Sequence, residues 1–132
     1  LSRSSAASDV YKRQHEDRNG LSPITLTEIS DYLDTGKNSL NKACKQKFGM
    51  NVLELTKVVR LEQARKSLSN PTISSGLRLF TKERIAEYYG FSKWTTFEEL
   101  YFRTYLENPE DTIEKTRDIN IGVSALGGED KI

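Results

Sequence analysis

The fold of this chain is decided by residues 52–68, VLELTKVVRLEQARKSL. Apolar side chains recur here every three or four residues, the spacing that places them on one face of an α-helix. They form two successive stripes, at Val52, Leu55 and Val59 and then at Leu61, Ala64 and Leu68. The pattern predicts one long helix that presents two apolar stripes.

The sequence before this helix predicts two shorter ones, at about residues 25–33 and 37–47. Thr25 and Glu28 have the spacing of a capping box, in which each side chain satisfies a backbone N–H of the other residue. Gly49 can adopt the left-handed conformation that ends the second helix.

The sequence after the long helix predicts a connector and three more helices. Residues 69–76 contain proline, glycine and four serine or threonine residues, a composition typical of a connector. Thr81 is expected to cap a short helix, and Ser92 a longer one that reaches about Tyr105. Pro109 suits the first position of a last helix. Because alternating strand patterns with hairpin turns are absent, we predict an all-α fold.

Two hexapeptides, Ile29–Asp34 (ISDYLD) and Ile85–Gly90 (IAEYYG), match in character at every position. A small residue, Ser30 or Ala86, is what a helix needs where a second helix crosses it closely, and a turn-former four residues later lets the chain reverse. Each hexapeptide continues into a polar helix. The repeat predicts two helix-turn-helix units, which place their second helix in the major groove of DNA.

These residues resemble the DNA-binding domain of AraC/XylS-type transcription regulators, in which a long linker helix joins two helix-turn-helix subdomains. Residues 40–68 resemble the first recognition helix, its Phe-Gly turn and the linker-helix signature Arg-Leu-x-x-Ala that begins here at Arg60. Residues 85–109 resemble the second unit, with its Gly-Phe-Ser turn. The likeness spans about residues 24–117 and implies a homeodomain-like pair of subdomains that regulates transcription in bacteria.

The chain divides into four segments. Residues 1–14, LSRSSAASDVYKRQ, resemble translated sequencing-adapter read-through. Residues 15–68 contain the first unit and the linker helix, residues 69–117 the second unit, and residues 118–132 an expected flexible tail. We therefore expect an N-terminally truncated fragment, with any oligomerisation provided by the missing N-terminal region.

Three features depart from the family's pattern. Cys44 stands where the family has an aromatic or large apolar residue, and Leu106 replaces the glycine before the final proline. Glu98 and Glu99 lie in the second recognition helix, where the family has polar or basic residues. Because carboxylates repel phosphates, we expect the second unit to contribute less DNA affinity than the first.

The distribution of charge agrees with that expectation. The net charge is only +1, but residues 37–66 contain eight basic and two acidic residues, whereas residues 106–132 contain three and seven. A polyanion would be held most strongly by the basic stretch. A solvated helix surface is the alternative explanation of these charges.

The resemblance implies DNA contacts in the first unit from the leading turns of its recognition helix and from the linker helix. Asparagine can pair with adenine, and lysine with guanine or phosphate. The candidates for base contact are Lys37, Asn38, Asn41 and Lys42, and the candidates for phosphate contact are Lys45, Arg60 and Lys66.

In the second unit, the candidates are Lys93, Trp94, Thr95 and Glu98. Glutamate can accept a hydrogen bond from cytosine N4. Trp94 could equally pack against Tyr88. As in the first unit, the alternative is a solvated helix face.

The aromatic residues and the cysteine are assigned to cores. Core packing rather than base stacking is expected for the aromatic cluster of the second unit, whose members are Tyr88, Tyr89, Phe91, Phe97, Tyr101, Phe102 and Tyr105. Phe97, Tyr101 and Tyr105 lie on one face of one helix, as a small helical domain needs for burial. Cys44 is expected in the core of the first unit.

Composition excludes several classes of function. One cysteine and one histidine in 132 residues provide neither a disulfide nor a zinc site, and a reducing cytoplasm is the expected location. No apolar run approaches the roughly 20 residues that span a bilayer. No nucleophile–base set or phosphate-cradling glycine loop is present, so neither catalysis nor a cofactor is expected.

The expected partner is double-stranded DNA, with RNA polymerase as a further candidate. The alternative is a helix-turn-helix-derived protein-interaction module without strong DNA binding, which docks on polymerase or another regulator through its acidic second unit.

Overall fold

The computed structural model describes residues 22–118, and every regular element in that part of the chain is helical. No strand occurs among those residues, so the all-α prediction is confirmed there. The adapter-like residues 1–14 and the tail beyond residue 118 lie outside the described residues.

The described residues form six α-helices, one turn of 3-10 helix and a final helical stretch. In chain order the α-helices are α1 (Leu26–Tyr32), α2 (Leu40–Phe48), α3 (Val52–Ser69), α4 (Pro71–Gly76), α5 (Lys82–Tyr88) and α6 (Trp94–Tyr105). The 3-10 turn, Lys37–Ser39, leads directly into α2. Residues 109–118 are helical and are called α7.

Local capping interactions set most helix ends as predicted. The Thr25 hydroxyl accepts a hydrogen bond from the Glu28 N–H, and the Glu28 carboxylate accepts one from the Thr25 N–H, both at 3.2 Å. The Asn51 side chain caps α3 by accepting from the Glu54 N–H at 2.9 Å. Gly49 ends α2 with a left-handed φ of 72°.

The structure differs from the sequence-based prediction at two places. Residues 69–76 contain helix α4 rather than a plain connector, because the Asn70 side chain accepts from the Thr72 N–H at 3.0 Å and Pro71 fits the first helical turn. Ser92 does not cap α6: the helix begins one residue later, with Lys93 as its N-cap and no capping side chain.

The first hydrophobic core lies between α1, α2 and the first half of α3. Its members are almost fully buried: Ile24, Ile29, Leu40, Cys44, Phe48, Met50, Leu55 and Val59. The core position predicted for Cys44 is confirmed. Burial raises the pKa of its thiol, so the side chain is a neutral packing group.

The second core lies between the second half of α3, α5 and α6. Its buried members are Leu61, Ala64, Leu68, Ile85, Ala86, Tyr89, Phe97 and Tyr101. The ring centroids of Phe97 and Tyr101 are 5.6 Å apart, and those of Tyr101 and Tyr105 are 4.8 Å apart. The predicted core role is therefore confirmed for these three side chains. It is wrong for Phe102, which is 49% exposed because it lies on the outer face of α6.

Helix α3 belongs to both cores. Leu55 and Val59 are buried in the first, and Leu61 and Ala64 in the second. At 3.6 residues per turn, Val59 and Leu61 point about 200° apart around the helix axis. The two predicted stripes thus lie on opposite sides of one helix, and each side has its own core.

The sequence repeat is also a repeat of backbone geometry. After α1, the Thr35 N–H donates to the Ser30 carbonyl at 3.1 Å, and after α5 the Phe91 N–H donates to the Ala86 carbonyl at 2.9 Å. Left-handed backbone precedes each donor, with φ of 51° at Asp34 and 95° at Gly90. Both helices therefore end in the same Schellman-type turn.

A polar network joins α3 to the end of α6, to Glu107 between α6 and α7, and to Lys115 of α7. Arg65 donates to Glu107 at 2.8 Å, and its guanidinium lies 4.1 Å from the centre of the Tyr105 ring. The Tyr105 hydroxyl donates to Glu62 at 2.6 Å, and Lys115 Nζ lies 3.1 Å from Glu107 Oε2. These contacts fix the helices of the second core on α3.

We predict that the folded state loses stability at alkaline pH because Tyr101 and Tyr105 must stay neutral. Burial is the main cause that raises the pKa of Tyr101 to about 12, and burial followed by the Glu62 carboxylate raises the pKa of Tyr105. In the unfolded chain both lose their protons near pH 10. Between about pH 10 and 12 the folded chain binds more protons, so its free energy of unfolding falls as pH rises.

Urea unfolding of the native chain and of Tyr105→Phe at a series of pH values checks this expectation. Lysine side chains also titrate in this range, and they are identical in the two proteins. The native midpoint should fall more steeply above about pH 10 than that of the variant, which lacks one of the two hydroxyl groups. Parallel curves would contradict the prediction.

We predict that Leu106→Gly stabilises the protein. Leu106 ends α6 in the left-handed region, with φ of 57°, and its side chain is 79% exposed, so little burial is lost. Relief of the left-handed strain, offset by the added freedom of glycine in the unfolded chain, should raise the free energy of unfolding by about 0.5–1 kcal/mol in urea titrations.

The matched control for that variant is Leu53→Gly. Leu53 is 68% exposed but lies within α3, where glycine is unfavourable. The same substitution should there lower the free energy of unfolding by about 0.5–1 kcal/mol. A loss of stability at both positions would disprove the proposed strain at Leu106.

Candidate nucleic-acid interface

Helix α2 has one buried face and one exposed polar face. Leu40, Cys44 and Phe48 recur every four residues and are buried in the first core. Exposed polar side chains follow the opposite side of the 3-10 turn and α2, at Asn38, Lys42, Lys45 and Gln46. This side can contact a ligand without disturbing the packing beneath it.

Gln46 was not among the residues predicted to contact DNA. It lies four residues after Lys42, so these two share the exposed face of α2. This spacing mirrors that of the buried residues and could have identified Gln46 from the sequence. A glutamine amide can form a bidentate contact with adenine.

Asn41 and Lys37 occupy different surroundings. The Asn41 side-chain oxygen accepts a hydrogen bond from the N–H of Val52, the first residue of α3, at 3.0 Å. Because a bidentate contact with adenine uses both amide atoms, Asn41 is better placed to support α3 than to contact a base. Lys37 is exposed at the start of the 3-10 turn.

Helix α6 exposes Thr95 and Glu99 and buries Phe97. Glu98 is half-buried. The exposed face of α6 carries the carboxylate of Glu99, whereas that of α2 carries Lys42 and Lys45. The outer face of α6 is therefore less favourable to a phosphate backbone than that of α2.

Trp94 is half-buried at the start of α6. Its ring centroid lies 5.4 Å from that of Phe97, and Lys82 Nζ lies 5.5 Å from the centre of the indole. The tryptophan therefore packs on the second core within its own helix, and the Tyr88 ring instead meets Tyr89 at 5.0 Å. Only part of the indole is available to a ligand.

A second basic site surrounds the start of α6. Lys57 of α3 and Lys93 line one concave surface with the hydroxyl-bearing residues Ser92 and Thr96. Because no side chain caps α6, its first backbone N–H groups point to this surface without a capping oxygen. Lys57 was not predicted as a contact residue, because its neighbourhood depends on a turn more than 30 residues later.

Arg60 is half-buried rather than displayed on the surface. Its Nε and Nη2 atoms donate to the Ile24 carbonyl at 3.1 and 3.0 Å. The guanidinium is thus engaged within the protein, unlike the exposed Lys42 and Lys45, and the Arg60 phosphate contact expected from the family resemblance would have to compete with these bonds.

An apolar patch follows the outer face of α6 toward its C-terminus. Phe102 is 49% exposed, and Leu106 lies beside it on the same concave surface. Glu98, Glu99 and Arg103 border this patch. The outer face of α6 therefore combines hydroxyl groups near its start with an apolar, partly acidic surface near its end.

Two classes of feature are missing from residues 22–118. No three side chains of histidine, cysteine, aspartate or glutamate are grouped as a metal ion would require. No helix in this range is both long and apolar enough to cross a bilayer. Comparison of the chain with family models, curated proteins and solved structures finds no match.

We predict that Asn41 and Lys42, although adjacent, have separable roles. Asn41→Ala removes the acceptor for the Val52 N–H and should lower the free energy of unfolding by about 1 kcal/mol in urea titrations. Lys42→Ala is the matched control: its side chain is exposed, so its effect should stay within about 0.5 kcal/mol. Equal losses would contradict the structural role of Asn41.

Proposed function

We propose that the chain binds double-stranded DNA in a sequence-specific manner, through two helix-turn-helix units of the kind found in AraC/XylS-type regulators. In this proposal α1 and α2 form the first homeodomain-like unit, α5 and α6 form the second, and α3 is the linker helix. The repeated turn after α1 and α5 and the separate core beneath each unit support it.

The strongest single support is the exposed face of α2. Lys42 and Gln46 lie on the side of α2 opposite the first core, and Asn38 is exposed in the 3-10 turn before the helix. These side chains can donate to or accept from base edges, and each good bidentate contact would contribute about 1–3 kcal/mol of discrimination against a wrong base. Lys45 lies beside this line and is assigned a phosphate contact.

The second unit would add a weaker contact in the next major groove, about 34 Å along the duplex. Lys57 and Lys93 would hold a phosphate at the uncapped start of α6, and Thr95 would face the bases. Glu99 opposes this contact electrostatically. Most of the affinity is therefore assigned to the first unit.

The exposed Phe102 supports a second candidate function. Together with Leu106 it gives α6 an apolar surface that a DNA contact does not require. In this alternative the chain is a protein-interaction module with RNA polymerase or another regulator as its partner. In both cases the proposal is a binding protein of the cytoplasm that performs no catalysis and needs no cofactor.

Selection from a pool of random duplexes, followed by titration of the selected duplex at several salt concentrations, tests DNA binding. We expect a defined sequence to be enriched and the affinity to fall as salt rises. Gln46→Ala should relax the preference at one base pair, whereas Lys45→Met should weaken binding to all sequences and reduce the salt slope by about 0.9.

Although the sequence offers Lys66 as a candidate for phosphate contact, this residue lines a concave surface with Glu62 and Glu107. The control for those variants is therefore Lys66→Met, which removes a positive charge from α3 outside both proposed contact surfaces. It should bind the selected duplex as the native chain does. Binding that ignores both sequence and salt would refute the proposal. DNA binding that is weak in the native chain and equally weak in a Lys42→Ala/Gln46→Ala variant would favour the interaction module instead.

A further inference from the structure

Backbone groups of the segment before α1 form hydrogen bonds with side chains of α3. We call residues 22–24 the strap. Gln63 of α3, only 2% exposed, accepts from the Ile24 N–H at 3.0 Å and donates to the Ser22 carbonyl at 2.8 Å. Arg60, one turn earlier, donates twice to the Ile24 carbonyl. The Ile24 side chain is fully buried in the first core.

The same arginine also reaches the turn that precedes α6. A Cβ atom placed on Gly90 would lie 2.9 Å from Arg60 Nη1 and 3.7 Å from its Cδ, so the guanidinium packs directly against the glycine backbone. Gly90 belongs to the repeated turn of the second unit. Arg60 therefore touches the strap of the first unit and the turn of the second at once.

The position of Arg60 on α3 explains this double contact. The stripe with Val59 faces the first core and the stripe with Leu61 faces the second, about 200° apart. Residue 60 points to the side of the helix between these two directions. A long side chain that starts there can meet elements packed on both sides.

We propose that Arg60 is a positioning residue that fixes the second unit relative to the first, rather than a phosphate contact. This inference rests on the proposed function, since it concerns how two recognition helices engage one duplex. Two linked contacts strengthen each other only when the geometry lets both be made together, and the gain can reach about 10²-fold or more. Loss of the Arg60 bridge lets the second helix depart from that geometry.

The test compares the selected two-site duplex with a duplex in which the sequence under the second unit is scrambled. Arg60→Met keeps the aliphatic stem and removes every donor. We expect it to bind the two-site duplex about tenfold more weakly, with affinity for the scrambled duplex within about twofold of native. Arg60→Lys keeps the charge but not the planar fork, and should show the same selective loss.

Lys57→Met is the matched control, because it removes a charge from the same helix one turn earlier. A phosphate contact contributes to every sequence alike, so this variant should lose affinity on both duplexes and reduce the salt slope by about 0.9. If Arg60→Met behaves in this uniform way and Arg60→Lys restores binding, Arg60 is a phosphate contact and the inference is overturned.

A second measurement tests the bridge without DNA. The only cysteine, Cys44, is buried in the first core, and the only tryptophan, Trp94, packs on the second. In urea titrations of the native chain, thiol reactivity and tryptophan fluorescence should report the same midpoint. In Arg60→Met the two midpoints should separate, because the contact between the strap before α1 and the turn after α5 is lost.

Coincident midpoints in Arg60→Met would overturn the inference whatever the DNA results. If the native chain selects no DNA sequence but the midpoints separate in Arg60→Met, the proposed function is refuted. The contact that Arg60 makes between the strap and the turn at Gly90 would then still stand. The two failures are thus distinguishable.

Discussion

One helix must bury apolar side chains in two cores, and the rest of the structure depends on that constraint. The two apolar stripes lie on opposite sides of α3. Without a core on each side, Leu55 or Leu61 would be exposed to water. Complete burial of each such side chain contributes about 1.5–3 kcal/mol. Each core therefore depends on one side of α3, and a contact that reaches across α3 adds a second connection between the two cores.

The fold could be predicted largely because its signals are local. Each of these signals involves residues that are close together in the chain: the capping box at Thr25, the left-handed Gly49 and the repeated hexapeptide. A short stretch of sequence therefore contains the whole interaction. Helix α4 was missed because serine and proline suit a connector and a first helical turn alike. Only the cap from Asn70 distinguishes the two.

The candidate site was less predictable, because exposed and internally bonded polar residues look alike in sequence. The exposed face of α2 follows from its periodicity. Asn41 and Arg60 have partners 11 and 36 residues away, and Gln63 reaches across 41 residues to Ser22. No local sequence pattern distinguishes a residue bonded within the protein from one that is available to a ligand. The family resemblance therefore implied a DNA contact for Arg60, although two of its donors bond to the Ile24 carbonyl.

The last position of the two hexapeptides shows how this bridge bears on the repeated turn. Asp34 and Gly90 hold the same place in that turn, and both have positive φ. A short polar residue tolerates the φ of 51° at Asp34, whereas the φ of 95° at Gly90 strains any residue that has a Cβ. At Gly90 the Arg60 guanidinium also lies where a Cβ would be placed. Backbone conformation and a side chain 30 residues earlier therefore both favour glycine here, and that side chain links the turn after α5 to the strap before α1.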